Sequence, residues 1–419
     1  MIKESEEITL NQLMIFSGES GLGKSYLSII CHYLFAVLLD EKRISKFFEN
    51  QGFQFAEYRK NFHGAGTAIS FPKDDFEQWL AKDAITWLAY MIKDDGVQAD
   101  IIIKLPDNIP DIIDMTFEEE ISELGNNVET YINLSLPGLT YKIKESMGIN
   151  EESPFATLLR AYLIQQIFGN FRNLKDSYIF PPSRGTMLTE NIETVMGMYT
   201  EFKRGLQRMN AAKPNKVEMP KQLKELFFQI LDGHVSREEG KYLYETGDMV
   251  LPISAAAASI RELAPIQMLI ESTDISKSAV MIDEPEAHLH PLKQRMIADI
   301  ISSMVMAGAH VQLTTHSDYF LRRLNELVLK YQIFHKSFIN QDDKYEQMCN
   351  ELRLNPNRTI NPDLISAYLL QRNESDPSSS HVVKQDMENG VPFSAFHDAI
   401  NDSLKMKYEL EKRLTYETD

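Results

Sequence analysis

Residues 18–25 read Gly-Glu-Ser-Gly-Leu-Gly-Lys-Ser, a match to G-x-x-x-x-G-K-[ST] that fixes a strand, a phosphate-sized loop and a helix in immediate succession. The apolar run Leu13-Met14-Ile15-Phe16 predicts the strand. Beyond the loop, Tyr26, Leu27, Ile30, Tyr33, Leu34, Val37 and Leu38 recur at spacings of three and four, the period of a helix. Glycines let the backbone of Gly18, Glu19, Ser20, Gly21, Leu22 and Gly23 curl, so that successive N–H groups and the helix N-terminus face an anion. Lys24 is placed to reach the β- and γ-phosphates of a nucleotide, and the Ser25 hydroxyl to ligate Mg²⁺. The expectation is a nucleotide site spanning residues 18–26, with Tyr26 at its helical end.

Such a loop needs acids from elsewhere in the chain. Ala279-Val280-Met281-Ile282 is a short apolar run ending in Asp283-Glu284, the pattern of a buried parallel strand that presents two carboxylates. Asp283 is expected in the Mg²⁺ shell, and Glu284 as general base toward an attacking water. The next residues, Pro285-Glu286-Ala287-His288-Leu289-His290-Pro291, have two readings. Glu286, His288 and His290 could ligate zinc, although they lack i, i+4 histidines and a nearby Cys pair. Alternatively, the two prolines fix a tight turn into a helix at 292–307. A further strand at 311–315 ends in His316-Ser317-Asp318. His316 is placed to hydrogen-bond a γ-phosphate or the attacking water, and Ser317 or Asp318 to cap a helix at 319–330. Between these halves, small residues around Ser254 and Ser259 would let a phosphate or a partner surface approach, ahead of a helix starting near Ser259.

The chain has 419 residues, enough for a large core and for two or three structural units. No apolar run reaches membrane-span length, and Met-Ile-Lys-Glu-Ser-Glu-Glu has no secretory apolar region. Cys31 and Cys349 are far apart, so reduced thiols, a cytoplasmic location and no membrane partner are expected. A net charge of −18 argues against a dedicated duplex-DNA coat. One local cluster (Lys203, Arg204, Arg208, Lys213, Lys216, Lys221 and Lys224) reads either as a nucleic-acid patch or as the solvated face of helices.

Together these pieces resemble the ABC-type ATPase heads related to SMC proteins. Within that group they are most similar to the OLD (overcoming lysogenization defect) ATPases and their stand-alone bacterial relatives. The run from Asp283 to Pro291 is the most specific match. The loop, Thr314-Thr315-His316-Ser317 and the small-residue stretch fall in the family's order. Tyr178-Ile179-Phe180-Pro181-Pro182-Ser183-Arg184-Gly185 is similar to the strand and Pro-x-x-Arg that precede the family's helical lobe. The resemblance implies an α/β fold, an ABC-type P-loop NTPase head with a mixed and mostly parallel sheet flanked by helices, plus a helical lobe and a C-terminal helical extension. It implies ATP and Mg²⁺ as ligands. It also implies a homodimer or higher homo-oligomer in which a second copy, docked head to tail, offers Ser254 and Ser259 to the γ-phosphate.

Three features depart from the family pattern. Ala257-Ala258-Ser259 stands where Ser-Ser-Gly or Ser-Gly-Gly is usual, which predicts slow hydrolysis. Ser20 replaces an Asn of many relatives. The chain starts too close to the loop for the full N-terminal hairpin and its adenine-stacking aromatic. No Asp-x-Asp occurs, so the Toprim nuclease site of OLD proteins is not expected. The implied function is an ATPase whose assembly regulates a separate effector protein, a nuclease or toxin, in bacterial anti-phage defence. The alternative is a DNA-repair or recombination ATPase that clamps nucleic acid directly. A small-molecule kinase would share the loop but not Glu284 and His316.

The expected organisation is an ATPase lobe at 1–185 with an insert at 46–150, and a mainly helical lobe at 186–270. The acids and the switch histidine follow at 271–330, and a C-terminal extension suited to partner docking at 331–419. Within the insert, residues 99–105 and 115–121 read as strands extending the nucleotide-binding sheet. Residues 151–175 carry a helical period. In the tail, Ser378-Ser379-Ser380 reads as a polar loop and 393–414 as a last helix. No heptad run predicts a coiled-coil arm.

Overall fold

The strand ahead of the loop lies in the middle of a seven-stranded sheet. The computed structural model describes residues 2–124, 127–144, 153–170, 172–189, 194–211, 221–387, 390–391 and 402–412. In spatial order the sheet is β1 (Ile2–Ser5), β14 (Asp376–Lys384), β13 (Ile365–Asn373), β2 (Leu13–Gly18), β12 (His310–Thr315), β11 (Ser278–Asp283) and β7 (Asp176–Phe180). From β13 to β7 every pairing is parallel; β14 runs antiparallel to β13, and β1 runs parallel to β14. β2 and β11 are buried along their whole length, which is why their text is an unbroken apolar run. Successive side chains still alternate between faces. Ala279 and Met281 enter one core, whereas Val280 and Ile282 enter the other.

The first core is closed by α1 (Lys24–Leu39), α2 (Glu41–Asn50), the short α3 (Phe55–Tyr58), α4 (Lys73–Ile92) and α5 (Pro154–Phe168). The second is closed by α6 (Gly197–Ala211), α7 (Lys221–Leu231), α8 (Ala258–Ser272), α9 (Pro291–Met306) and α10 (Asp318–Asn340). α11 (Lys344–Glu351) packs on α10, with Tyr345 edge-on to Phe334. The α/β class with a mixed, mostly parallel sheet between helices is thus as expected.

Several local expectations are corrected. Residues 99–105 form no strand: the N–H of Leu105 is taken by the Glu77 carboxylate at 2.8 Å, so the segment lies along α4 instead of joining a ladder. The insert does not extend the nucleotide-binding sheet. β3 (Ala65–Pro72), β4 (Ile112–Leu124), β5 (Asn127–Leu136) and β6 (Leu139–Lys144) form their own antiparallel sheet, while the free edge of β7 is covered by α6. The second lobe is not only helical. It holds a meander of β8 (His234–Glu238), β9 (Lys241–Thr246) and β10 (Met249–Pro252). Its first turn, Glu239-Gly240, has both φ values positive (48° and 83°), as a tight two-residue hairpin requires.

Ser378, Ser379 and Ser380 belong to β14 rather than to a loop. Of the last expected helix, residues 402–412 are helical; 393–401, 413 and 414 lie outside the described residues, as do Lys213 and Lys216.

Candidate functional site

The loop after β2 turns on three glycines with positive φ: Gly18 (130°), Gly21 (80°) and Gly23 (97°). It wraps onto its own lysine. Lys24 Nζ donates to the carbonyl oxygens of Gly18 (3.1 Å) and Glu19 (2.7 Å), and only 5% of the residue is exposed. Burial pulls its pKa down, while Glu284, Asp283, Glu286 and Glu19 act against that shift. Leu22 is buried beneath the loop, whereas Glu19, Ser20 and Tyr26 face outward.

The C-terminal hairpin holds the far side of the loop, a support that sequence reading missed. Gly18 pairs with Leu370 of β13, and a Cβ on Gly18 would sit 2.4 Å from the Leu370 carbonyl oxygen. Ser380 Oγ donates to the Leu22 carbonyl at 2.9 Å, and Arg372 Nε to Glu19 Oε2 at 2.8 Å. The apolar run from Ile365 to Leu370 was the available signal.

At the C-terminal ends of β11 and β12 the expected acids gather beside the loop. Ser25 Oγ lies 3.1 Å from Asp283 Oδ1, across 258 residues of sequence. The same oxygen accepts from Thr314 Oγ1, and Thr314 Oγ1 in turn accepts from the Glu284 N–H at 3.1 Å. Glu284 Oε1 stands 3.4 Å from His316 Nε2. Burial, aided by the Lys24 charge and opposed by Glu284 and Asp283, lowers the His316 pKa below its ordinary 6.5, which favours the uncharged ring.

Beneath these groups, Glu286 Oε1 accepts from Thr315 Oγ1 (2.7 Å) and from the His316 N–H (2.8 Å). Glu286 thereby locks the turn after β11 to the end of β12. Burial raises its carboxyl pKa. The two readings of the histidines now separate. His290 caps α9, its Nδ1 accepting from the Leu292 N–H at 3.4 Å, and among the described residues no three His, Cys, Asp or Glu side chains gather as a metal cluster. Ser317 caps α10 through its hydroxyl, which accepts from the Phe320 N–H at 3.0 Å.

Other residues stand apart from this group. Ser254 is exposed in a 3₁₀ turn and Ser259 lies in the first turn of α8. Neither is hydrogen-bonded to the loop or to Asp283, Glu284 or His316 among the described contacts. In the basic cluster, Arg204 pairs with Glu201, and Arg208 lies over the Tyr178 ring and donates to the Ser177 carbonyl.

The glycine-rich loop, the hydroxyl–carboxylate pair of Ser25 and Asp283, and Glu284 beside His316 thus lie together at the C-terminal ends of the parallel strands. The sequence model of the AAA ATPase domain matches residues 2–321, well over half of the chain. The protein belongs to the AAA ATPase domain family. No curated protein matches the chain in sequence. Solved structures similar to this ATPase include an Smc head bound to the C-winged helix domain of ScpA, at 11% identity and a TM-score of 0.34 over 90% of this chain and 91% of that one. The SMC head domain from Thermotoga maritima is similar at 10% identity and a TM-score of 0.31, over 90% and 92% of the two chains. Among the described residues, no helix of this ATPase is long and apolar enough to cross a membrane.

Proposed function

We propose that this chain hydrolyses ATP at residues 18–25, with Glu284 as general base. The observation that carries the reading is the continuous set of contacts from Ser25 through Asp283 and Thr314 to Glu284 and His316. In it, Lys24 exchanges its bonds to loop carbonyls for the β- and γ-phosphate oxygens. The donor pair of Ser25 and Asp283 fits Mg²⁺, which takes a few hard oxygen ligands and completes its shell with phosphate and water. Bound there, Mg²⁺ supplies charge neutralisation between the phosphates. Glu284 accepts the proton of the attacking water, and neutral His316 orients that water or the γ-phosphate. Ser254 and Ser259 serve a second copy in a head-to-tail assembly, which accounts for their separation from the loop of their own chain. The output of that assembly is control of a separate effector, a nuclease or toxin in anti-phage defence. Direct clamping of nucleic acid has less support, because Arg204 and Arg208 are engaged within the fold.

The test is hydrolysis and assembly measured together. Glu284→Gln should abolish turnover and accumulate an ATP-bound oligomer in size exclusion with light scattering, whereas Lys24→Ala should lose nucleotide. Normal turnover by Glu284→Gln refutes the assignment of the base. Failure to assemble with ATP, or to co-purify with the product of an adjacent gene, refutes the scaffold.

A further inference from the structure

The peptide that joins Asp283 to Glu284 is held from both sides. Its carbonyl oxygen accepts from Arg184 Nη1 at 3.0 Å, and its N–H donates to Thr314 Oγ1 at 3.1 Å. Glu284 follows this clamped peptide with φ at 47°. A residue with a side chain keeps that left-handed conformation only where its surroundings impose it.

Arg184 is fully buried. Its Nε donates to the Glu262 carbonyl oxygen on α8 at 2.8 Å and lies 3.7 Å from Glu262 Oε2. Its Nη1 also reaches the Pro181 carbonyl at 3.3 Å. The Glu262 side chain returns the contact, since Oε1 accepts from the Gly185 N–H at 3.1 Å. α8 is pressed against this turn: a Cβ on Gly185 would meet Arg261 Cβ at 2.7 Å. A buried guanidinium is a poor source of stability, because desolvation offsets much of its pairing. What Arg184 contributes is geometry, a planar fork that joins the backbone of α8 to the backbone of Asp283.

We propose that Arg184 is a positioning residue that sets the orientation of Glu284 and ties it to α8, the helix that carries Ser259. A displacement of α8 on assembly is thereby transmitted to the Asp283–Glu284 peptide. The inference rests on the ATPase reading above.

The experiment compares wild type, Arg184→Lys and Arg184→Ala in steady-state ATP hydrolysis, in binding of a fluorescent ATP analogue and in thermal melting. Lysine keeps the charge but cannot span both carbonyls, so the lysine variant remains the informative one if alanine fails to fold. Both variants are expected to lose kcat, by about a hundredfold for alanine, as displacement of a reacting group by about 1 Å commonly produces. KM for ATP and affinity for the analogue should stay near wild type. A folded Arg184→Lys with wild-type kcat overturns the proposal. So does a variant whose nucleotide affinity falls in step with its rate, since Arg184 would then shape the binding site as a whole. A wild-type chain that binds ATP but never hydrolyses it overturns the ATPase reading, and this inference with it.

Discussion

Replacing Gly18 by alanine measures how firmly the C-terminal hairpin holds the phosphate loop. A Cβ there would lie 2.4 Å from the Leu370 carbonyl oxygen, 3.2 Å from its carbonyl carbon and 3.3 Å from its nitrogen. A carbon and an oxygen settle at about 3.3–3.6 Å, so β13 must retreat by about 1 Å or the loop must leave the sheet. Backbone strain from φ at 130° adds to this clash. Strain of that kind costs about 1–3 kcal/mol and overpacking a similar amount, about 2–6 kcal/mol in all. Gly21 provides the internal control. Its φ is 80°, but an added Cβ meets nothing within 4 Å, leaving only the backbone term. That term is about 1–2 kcal/mol. Urea titrations followed by circular dichroism should therefore place the Gly18→Ala midpoint clearly below that of Gly21→Ala. Equal midpoints would mean that β13 yields freely, and the hairpin would no longer count as part of the loop's support.

Two further predictions concern titration. The Glu286 carboxyl has its pKa raised above 4.5, chiefly by burial. The folded state therefore holds this proton more tightly than the unfolded chain. Its contribution is full below pH 4.5 and is lost as pH rises through the folded value, so wild-type melting temperatures should fall relative to Glu286→Gln over that window; parallel curves refute this. His316 is shifted the other way, below 6.5, so the neutral ring persists to lower pH. The acid limb of kcat is then expected below pH 6.5 and should disappear in His316→Ala, while nucleotide binding survives; an unchanged limb assigns it to another group.

The strands ahead of the loop and ahead of Asp283 were legible because buried parallel strands write themselves as apolar runs, Leu13–Phe16 and Ala279–Ile282. By contrast, β12 buries Gln312, Thr314 and Thr315 among its apolar residues and carries a weaker form of that signal. Ser317 was legible as a cap because capping is local chemistry. The C-terminal hairpin was not, and β14 explains why. Its buried positions include Ser379 and Ser380, whose hydroxyls are satisfied by the Asp376 and Leu22 carbonyls. A strand that buries serines carries little hydrophobic signal. The opposite failure occurred at 99–105, where Ile101, Ile103 and Leu105 do alternate against the core. Alternation reports which side is buried, not whether a neighbouring strand exists to take the backbone bonds. Arg184 was visible only as part of a motif, since its partners lie 78 and 99 residues downstream.

The charges at this site lie in two layers. Arg184, Glu262, Asp283 and Glu286 are buried, whereas Glu284 and His316 are 42% and 30% exposed. Buried charges contribute little to stability even when paired, so the inner layer must be carried by the two apolar cores on either side of the sheet. What it contributes is contacts: Arg184 and Thr314 bond the peptide before Glu284, and Glu286 bonds the end of β12. Lys24 is the exception. Its bonds are to carbonyls of its own loop, and under the proposed reading these are exchanged for phosphate oxygens. On that proposed reading, nucleotide capture rearranges the loop lysine, while Glu284 and His316 rest on the buried layer beneath them.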